Sequence, residues 1–251
     1  YRKPEPFVPR HLRLEVTERL NYLGEETTPI AFEELPSVLD HFRSEGVEAI
    51  AVSFLHAYAN PEHELAVAAR VEELWPDLPV VCSHTLSREW REYERTTTTV
   101  LSAYVQPIVE SYFDRLETEL QTQGLKSRVY VTQSNGGVDT LDSARNKPIT
   151  MVESGFASGV FGAAALGGII DEPNMIVLDI GGTSAKCSLI KDGQVRIKTE
   201  FRVEESETYS GYPLQVPVVD IVEIGQGGGS IAHIGEGGKL KVGPKSAGAV
   251  P

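Results

Sequence analysis

The pattern of hydrophobic and polar residues in the first third of the chain alternates between the helical and the strand period. Apolar residues recur at helical spacing over 32–46 and again over 60–75, where an Asn-Pro pair marks the helix start. Continuous apolar runs over 47–55 and 78–83 are typical of short buried strands. Strands that alternate with helices in this way predict an α/β layer with parallel neighbouring strands.

The middle of the chain is predicted to be mainly helical. Residues 87–124 form a long helical region that we expect to be interrupted near Pro107. Its predicted apolar stripe consists of Tyr93, Val100, Leu101, Tyr104 and Val105. A strand over 128–132 and a helix of small residues over 154–168 follow. The N-terminus of that helix can attract an anion, although close packing alone explains its small residues equally well.

The rest of the predicted fold is organised around residues 174–190. The apolar run over 175–178 is typical of a strand buried on both faces, and Asp179 ends it. A polar glycine turn at 181–184 follows, and the apolar pattern then resumes until a second turn at 191–193. The pattern predicts a β-hairpin with an acidic residue at its mouth.

This glycine turn has the chemistry of a phosphate site. Gly181 and Gly182 let a ligand approach the backbone and expose N–H groups in one concavity. Thr183 and Ser184 add hydroxyl donors, and Asp179 can hold a hydrated magnesium ion. The stretch is not a Walker A loop, because the pattern G-x-x-x-x-G-K-[ST] does not occur and a strand rather than a helix is predicted to follow. A hairpin turn without any ligand is the alternative.

A second glycine cluster, GQGGGS, lies at 225–230. Such a run alone is more often a flexible loop, but beside the first turn it predicts a second nucleotide-binding turn. Its candidate residues are Gly225, Gly227, Gly228, Gly229 and Ser230. Asp220 and Glu223 precede the cluster and face either a cleft or solvent. We expect the three successive glycines to have no packing role and to lie on the same face of the fold as Gly181.

Several stretches together resemble a known protein family. LDIGGTSAK, at 178–186, is similar to a phosphate motif of the actin-like ATPase superfamily. The other stretches are SHTLSREWREYERTTTTVLSAYVQP, VTQSNGGV, ESGFASGVFGAA, IGQGGGSIAHI and LKVGPKSAGAVP. In this order, and over nearly the whole chain, they resemble the hydantoinase A/oxoprolinase family.

The resemblance implies a partial actin-like ATPase fold of the ribonuclease H-like type, an α/β fold with mixed sheets and flanking helices. Residues 1–86 would end the family's N-terminal domain, and residues 87–251 would form a hydantoinase A-type domain. The implied activity is ATP-dependent hydrolysis of a cyclic amide of the hydantoin or 5-oxoproline kind. Mg²⁺ or Mn²⁺ would accompany ATP, and a hydantoinase B-type subunit would be the partner. The alternatives are the ATP-binding subunit of an acetone-type carboxylase and a nucleotide-binding subunit without turnover.

The resemblance also implies roles for single residues. Asp179 would be the catalytic and metal-binding residue, and the turn after it would bind phosphate. Lys186 departs from the family, in which many members carry an acid at this position; it either adds a positive charge near the phosphates or points to solvent. The earlier DxGGTFTD motif of the family does not occur. We therefore expect a fragment of a longer protein, with little ATPase activity by itself.

Composition excludes several other functions. The 23 basic and 36 acidic residues give a net charge of −13, which argues against nucleic acid or an anionic membrane as a partner. A cytoplasmic chain is expected, because a signal peptide and an apolar run of about 18 residues are both missing and Cys82 and Cys187 form no disulfide framework. His56, His63 and His84 fall on different predicted elements, so no zinc site is expected.

Overall fold

The computed structural model describes residues 4–182, 184–205 and 208–248 as a mixed α/β chain with several small sheets. The α-helices are α1 (Leu35–Ser44), α2 (Glu62–Leu74), α3 (Ser83–Leu86), α4 (Glu92–Thr122), α5 (Leu141–Asn146) and α6 (Ser154–Ile170). The strands are β1 (Arg19–Leu20), β2 (Glu26–Thr28), β3 (Ile50–Val52), β4 (Val80–Cys82), β5 (Tyr130–Thr132), β6 (Val138–Thr140), β7 (Met175–Ile180), β8 (Ala185–Lys191), β9 (Gln194–Val195), β10 (Ile197–Lys198), β11 (Phe201–Glu205), β12 (Ser210–Leu214), β13 (Val218–Val219), β14 (Val222–Ile224), β15 (Ser230–Ile234) and β16 (Leu240–Ser246). The α/β class is therefore confirmed.

The chain divides into two compact units. The first unit comprises Tyr1–Val131, Val138–Val152 and Thr199–Val216. The second unit comprises Thr132–Gly137, Glu153–Lys198 and Pro217–Pro251. These units are defined by contacts rather than by family boundaries, so the domain boundary expected after residue 86 stays a prediction.

A parallel strand pair with its helices forms one layer of the first unit. β3 and β4 pair in parallel with Ile50 opposite Val80, and α2 lies between them in the chain. The core of this layer is formed by Leu35, Leu39, Phe42, Ile50, Val52, Val67, Val71 and Cys82. The predicted alternation of helix and strand is confirmed here, because each apolar face meets another one in this core.

A buried carboxylate connects the elements of this layer. Glu64 on α2 is fully buried, and its Oε1 accepts hydrogen bonds from the Phe54 N–H at 2.9 Å and the Ser83 hydroxyl at 2.6 Å. Its Oε2 accepts from the N–H and Nδ1 of His84, at 3.0 and 2.7 Å. The equally buried Arg95 donates to the Ser83 hydroxyl oxygen and to the Phe54 carbonyl. The buried charges of Glu64 and Arg95 thus have hydrogen-bond partners, and a charged group that is shielded from water needs such partners to be stable.

The long helix α4 differs from the prediction in two ways. It continues through Pro107, and the buried residues Gln106 and Phe113 lie on the two sides of this proline. The expected apolar stripe is also wrong, since Tyr93 and Tyr104 are 51% and 73% exposed. Thr98 and Thr99 are buried instead, and their hydroxyls donate to the carbonyls four residues earlier. No helix in the described part of the chain is both long and apolar enough to cross a membrane.

The second unit contains the predicted hairpin. β7 and β8 pair antiparallel with Asp179 opposite Lys186, and β14 lies on the other side of β8 with Glu223 opposite Lys186. The helix α6 covers one face of this sheet. The core between them is formed by Phe156, Ala157, Val160, Ile190 and Val219. Of the small residues of α6, Ala157, Ala163 and Ala164 pack against this core, as the close-packing interpretation predicts, whereas a Cβ on Gly159 or Gly162 would meet open space.

The expectation that β7 is buried on both faces is wrong. Met175 and Val177 face α6 and are partly buried, whereas Ile176 and Leu178 on the opposite face are 73% and 62% exposed. The pattern of residues 175–178 is apolar on both faces of the strand, but within the described residues only α6 lies against this sheet as a covering layer.

His63 in the first unit lies between two carboxylates. Its Nδ1 is 2.7 Å from Glu18 and its Nε2 is 2.9 Å from Glu26. Burial alone would lower the pKa of His63, but the hydrogen bonds and charges of the two glutamates outweigh it and raise the pKa above its ordinary value. The protonated ring can donate to both carboxylates at once, so it connects α2 to β2 and to the segment before β1.

We expect this contact to make the stability of the chain depend on pH. Because the pKa of His63 is higher in the folded than in the unfolded state, protonation of its ring stabilises the fold. This contribution is fully present below the unfolded pKa of about 6.5 and is lost as the pH rises through the folded pKa. The free-energy difference of unfolding between wild type and His63→Gln should therefore shrink between pH 6 and alkaline pH in denaturant titrations. His233→Gln, at an exposed histidine, is the control for loss of an imidazole ring. A difference that grows with pH would contradict the assignment.

Candidate functional site

The first glycine turn joins β7 to β8. The N–H of Gly181 donates to the carbonyl of Ser184 at 3.0 Å, which closes the turn. Thr183, a candidate phosphate ligand, lies outside the described residues. The N–H groups of Gly182 and Ser184 make no hydrogen bond to any residue that the structure describes. These two donors are available to an anionic ligand.

The second glycine turn joins β14 to β15 and is closed by its own serine. The N–H of Gly227 donates to Oγ of Ser230 at 2.9 Å, and the N–H of Ser230 donates back to the carbonyl of Gly227 at 2.9 Å. Ser230 therefore stabilises the turn itself. A side chain at Gly225 would meet open space, so that part of the turn is accessible.

The two turns are in direct backbone contact. The N–H of Gly228 donates to the carbonyl of Gly181 at 2.8 Å, and the N–H of Gly229 donates to the carbonyl of Gly182 at 3.0 Å. A Cβ on Gly227 would lie 2.6 Å from the Gly181 oxygen. The prediction that the two clusters lie together is confirmed. The expectation that the second cluster has no packing role is wrong, because any side chain at Gly227 would separate the turns.

A third segment, which the sequence analysis did not include in the site, packs against the second turn. The N–H of Ala247 donates to the carbonyl of Gly229 at 2.7 Å, and the Ser246 hydroxyl donates to the same oxygen at 3.2 Å. A Cβ on Gly229 would lie 2.8 Å from that hydroxyl oxygen. The signal in the sequence is the small-residue run Ser-Ala-Gly at 246–248, which allows such a close approach.

Lys186 lies in the middle of a row of charges across the sheet. Its Nζ is 2.5 Å from Glu153 and 3.6 Å from Glu223, and its side chain is 22% exposed. Burial alone would lower the pKa of Lys186, but the two glutamates outweigh it and raise the pKa. Lys186 is therefore neither a lysine pointing freely to solvent nor a free charge. Glu153, which immediately precedes α6, was not among the candidate residues predicted from the sequence.

Asp179 and Asp220 have different surroundings. Asp179 is exposed and lies opposite Lys186, and its carboxylate has no hydrogen-bond or ion-pair partner among the described residues. Asp220 is paired with Lys198 at 2.5 Å and with Arg196 at 3.6 Å. Of these two acids, Asp179 is the one whose oxygens are free to hold a cation or a metal-bound water.

A possible metal-ligand group lies in the first unit, where the sequence analysis expected no zinc site. Ligand atoms of Glu64, Cys82 and His84 all lie within 4.8 Å of one another. The Glu64 oxygens, however, already accept hydrogen bonds from Phe54, Ser83 and His84. Burial, followed by the charge of Glu64, raises the pKa of the Cys82 thiol to about 12, which keeps it protonated. The group is better suited to hold the layer together than to bind an ion.

Comparisons with known proteins agree on one family. The sequence model described as Hydantoinase/oxoprolinase matches residues 95–251, and that described as Hydantoinase/oxoprolinase N-terminal region matches residues 1–75. The chain is 35% identical to the caprolactamase subunit alpha of Pseudomonas jessenii over 97% of its length, and 31% identical to the 5-oxoprolinase of Saccharomyces cerevisiae over 86%. These alignments cover 34% and 16% of the two relatives.

Solved structures agree with this result. A crystal structure of ATP-dependent caprolactamase from Pseudomonas jessenii matches 99% of the chain with a TM-score of 0.82 and 34% identity. A nucleotide-free structure of acetone carboxylase, described with a mechanism of ATP-dependent acetone carboxylation, matches 99% with a TM-score of 0.79 and 28% identity. The chain covers 35% and 34% of these two structures, so it spans about a third of their length. The matches are consistent with the expected actin-like ATPase type of fold.

The contact between the glycine turns leads to a stability prediction. In Gly227→Ala, the new methyl group should force the two turns apart and cost about 1–3 kcal/mol, the usual cost of overpacking. Gly225→Ala is the matched control, since its methyl group meets open space and should cost less than about 0.5 kcal/mol. Chemical unfolding of the two variants measures the difference. Equal stabilities would show that the turns are not held in contact in solution.

Proposed function

The chain belongs to the hydantoinase/oxoprolinase family, and we propose that it forms part of an enzyme that uses ATP to open a cyclic amide. Caprolactam and 5-oxoproline, the compounds in the names of two relatives, are both cyclic amides. The observation on which the proposal depends is the backbone contact between the two glycine turns beside the unpaired carboxylate of Asp179. This arrangement combines amide donors for phosphate with an acid for a cation.

The first turn is proposed to bind the phosphates of ATP. The N–H groups of Gly182 and Ser184 and the Ser184 hydroxyl would supply donors, together with Thr183, which lies outside the described residues, and Gly181 would close the turn. Asp179 would hold a hydrated Mg²⁺ or Mn²⁺, which supplies positive charge to neutralise phosphate oxygens when bound. Its position at the end of a sheet strand fits this role, because β7 and β8 fix the backbone on both sides of the turn.

The second turn is proposed to contact the remainder of the nucleotide. Gly227 and Gly229 face the first turn and the 246–248 segment, so they set the distance between the turns. A side chain on Gly225 would meet open space, and one on Gly228 would come no closer than 3.6 Å to the Gly181 carbonyl. These two glycines can therefore present an accessible backbone surface to the sugar or the base, while Ser230 keeps the turn closed.

ATP has a chemical purpose in such a reaction, because an unstrained amide is a poor electrophile. Transfer of the γ-phosphoryl group to the carbonyl oxygen releases ADP and makes that oxygen a good leaving group. Water would then add to the carbon, and cleavage of the C–N bond would release the amino group and leave an acyl phosphate. A second water would hydrolyse this acyl phosphate to the carboxylic acid of the ring-opened product and inorganic phosphate. In phosphoryl transfer, positioning and neutralisation of charge supply most of the catalysis. The amide donors and Asp179 correspond to these two requirements.

A carboxylase function is the second candidate, supported by the 0.79 TM-score to acetone carboxylase. In that case the same site would phosphorylate a ketone-derived oxygen rather than an amide.

The relatives named as alpha, beta and gamma subunits support a partner subunit for this chain. We propose that this partner is a hydantoinase B-type chain and that both act in the cytoplasm. ADP release by the complete enzyme with lactams, hydantoins or ketones separates these functions. A nucleotide-binding subunit without turnover would release no ADP with any of them.

The role of Asp179 can be tested by substitution in the complete enzyme. Asp179→Ala should lower kcat for substrate-dependent ADP release by about 10²-fold or more, because one group that positions charge is lost. Its fold should persist, since the side chain is exposed and unpaired within the described chain. Glu172→Ala, at another exposed acid of the second unit, is the control and should keep wild-type kcat. An unchanged kcat in Asp179→Ala would refute the metal and phosphate assignment.

A further inference from the structure

The contact between Lys186 and Glu153 joins the start of α6 to the strand that follows the phosphate turn. Lys186 lies on β8, two residues after Ser184, and its ammonium group reaches Glu153, the residue before α6. The two side chains are 22% and 17% exposed, so the pair is largely shielded from water. Shielded ion pairs are screened less by salt than exposed ones, and removal of one partner leaves a poorly solvated charge.

Glu153 has an unusual backbone conformation that needs support. Its φ and ψ of 60° and 13° lie in the left-handed region, which a residue with a side chain adopts only at a cost. Its carbonyl accepts the hydrogen bond from the N–H of Ala157 that begins the helix, at 3.0 Å. The backbone of Glu153 thus determines how α6 starts, while its side chain is held by Lys186.

The charges nearby oppose a direct contact between Lys186 and phosphate. Glu153, Asp179 and Glu223 lie around a single lysine, so the group remains acidic even with the lysine present. The ammonium group of Lys186 already interacts with two of these acids. An additional phosphate would have to approach the remaining acids, whereas a cation at Asp179 would be attracted by them.

We propose that Lys186 is a positioning residue, whose ammonium group holds Glu153 and thereby fixes the first turn of α6 against the strand that carries the phosphate turn. Only the expected effect on ATP binding rests on the proposed function, because the contact between Lys186 and Glu153 lies within the protein itself. Because α6 packs on the β7–β8 hairpin through Phe156 and Val160, a fixed helix start also fixes the sheet beneath the turn. Lys186 then affects nucleotide binding through Glu153 rather than by touching phosphate.

Hydrogen exchange in the complete enzyme tests this contact without any need for activity. Lys186→Met keeps an unbranched side chain that is one atom shorter and removes its charge, and it should speed amide exchange in the first turns of α6, residues 154–161, by about tenfold. Glu153→Gln should have a similar effect, and the double variant should add little to either single one, because both remove the same interaction. Lys191→Met, at an exposed lysine of the same strand, is the matched control and should leave this exchange unchanged.

Kinetics then separate a positioning role from direct phosphate contact. Lys186→Met should raise the KM for ATP at least about threefold with a smaller change in kcat, and Lys186→Arg should restore most of the loss. Wild-type exchange in Lys186→Met would overturn the proposal, whatever happens to KM. If Lys186→Met exchanges faster but the complete enzyme releases no ADP, the positioning role of Lys186 is supported and the proposed ATP-dependent function is contradicted.

Discussion

The backbone contact between the two glycine turns is the constraint on which the candidate site depends. Two N–H groups of the second turn donate hydrogen bonds to two carbonyls of the first turn. The two backbones can come this close only because no side chain lies between the turns. The requirement explains why glycines occur at Gly227 and Gly229, where a Cβ would meet neighbouring atoms at 2.6–2.8 Å. The contact also leaves the N–H groups of Gly182 and Ser184 free, so one interaction both builds the site and orients its donors.

A sheet and the helix α6 support these turns, and the two elements contribute in different ways. The β14–β8–β7 sheet supplies the strands on both sides of the first turn and the strand before the second turn, and α6 packs against this sheet through Phe156, Ala157 and Val160. Neither element needs a charged group for packing, and yet a lysine and a glutamate join them at the helix start. The apolar core determines that α6 packs on the sheet, while the ion pair determines where along the sheet the helix begins.

The parts of this structure that could be predicted are those with local patterns. The hairpin of residues 174–190 follows from two apolar runs around a glycine turn, and the helix from Ser154 follows from its small residues. The buried face of α4 could not be predicted, because Thr98 and Thr99 satisfy their hydroxyls within their own helix and so resemble surface residues in sequence. The Lys186–Glu153 pair joins residues 33 positions apart and has no local signal.

Electrostatics decide how an acidic chain can bind an acidic ligand. A net charge of −13 repels a nucleotide at long range, but salt screens that repulsion beyond about 8–10 Å. Within that distance, binding depends on the orientation of dipoles and on which charges are already neutralised. In the proposed site, the amides of the first turn would provide the dipoles, and Lys186 pairs with the acid before α6, Glu153. Asp179 then remains as the one unpaired acid of this row in the described chain, and a divalent cation carried with the nucleotide phosphates is the partner that its charge favours.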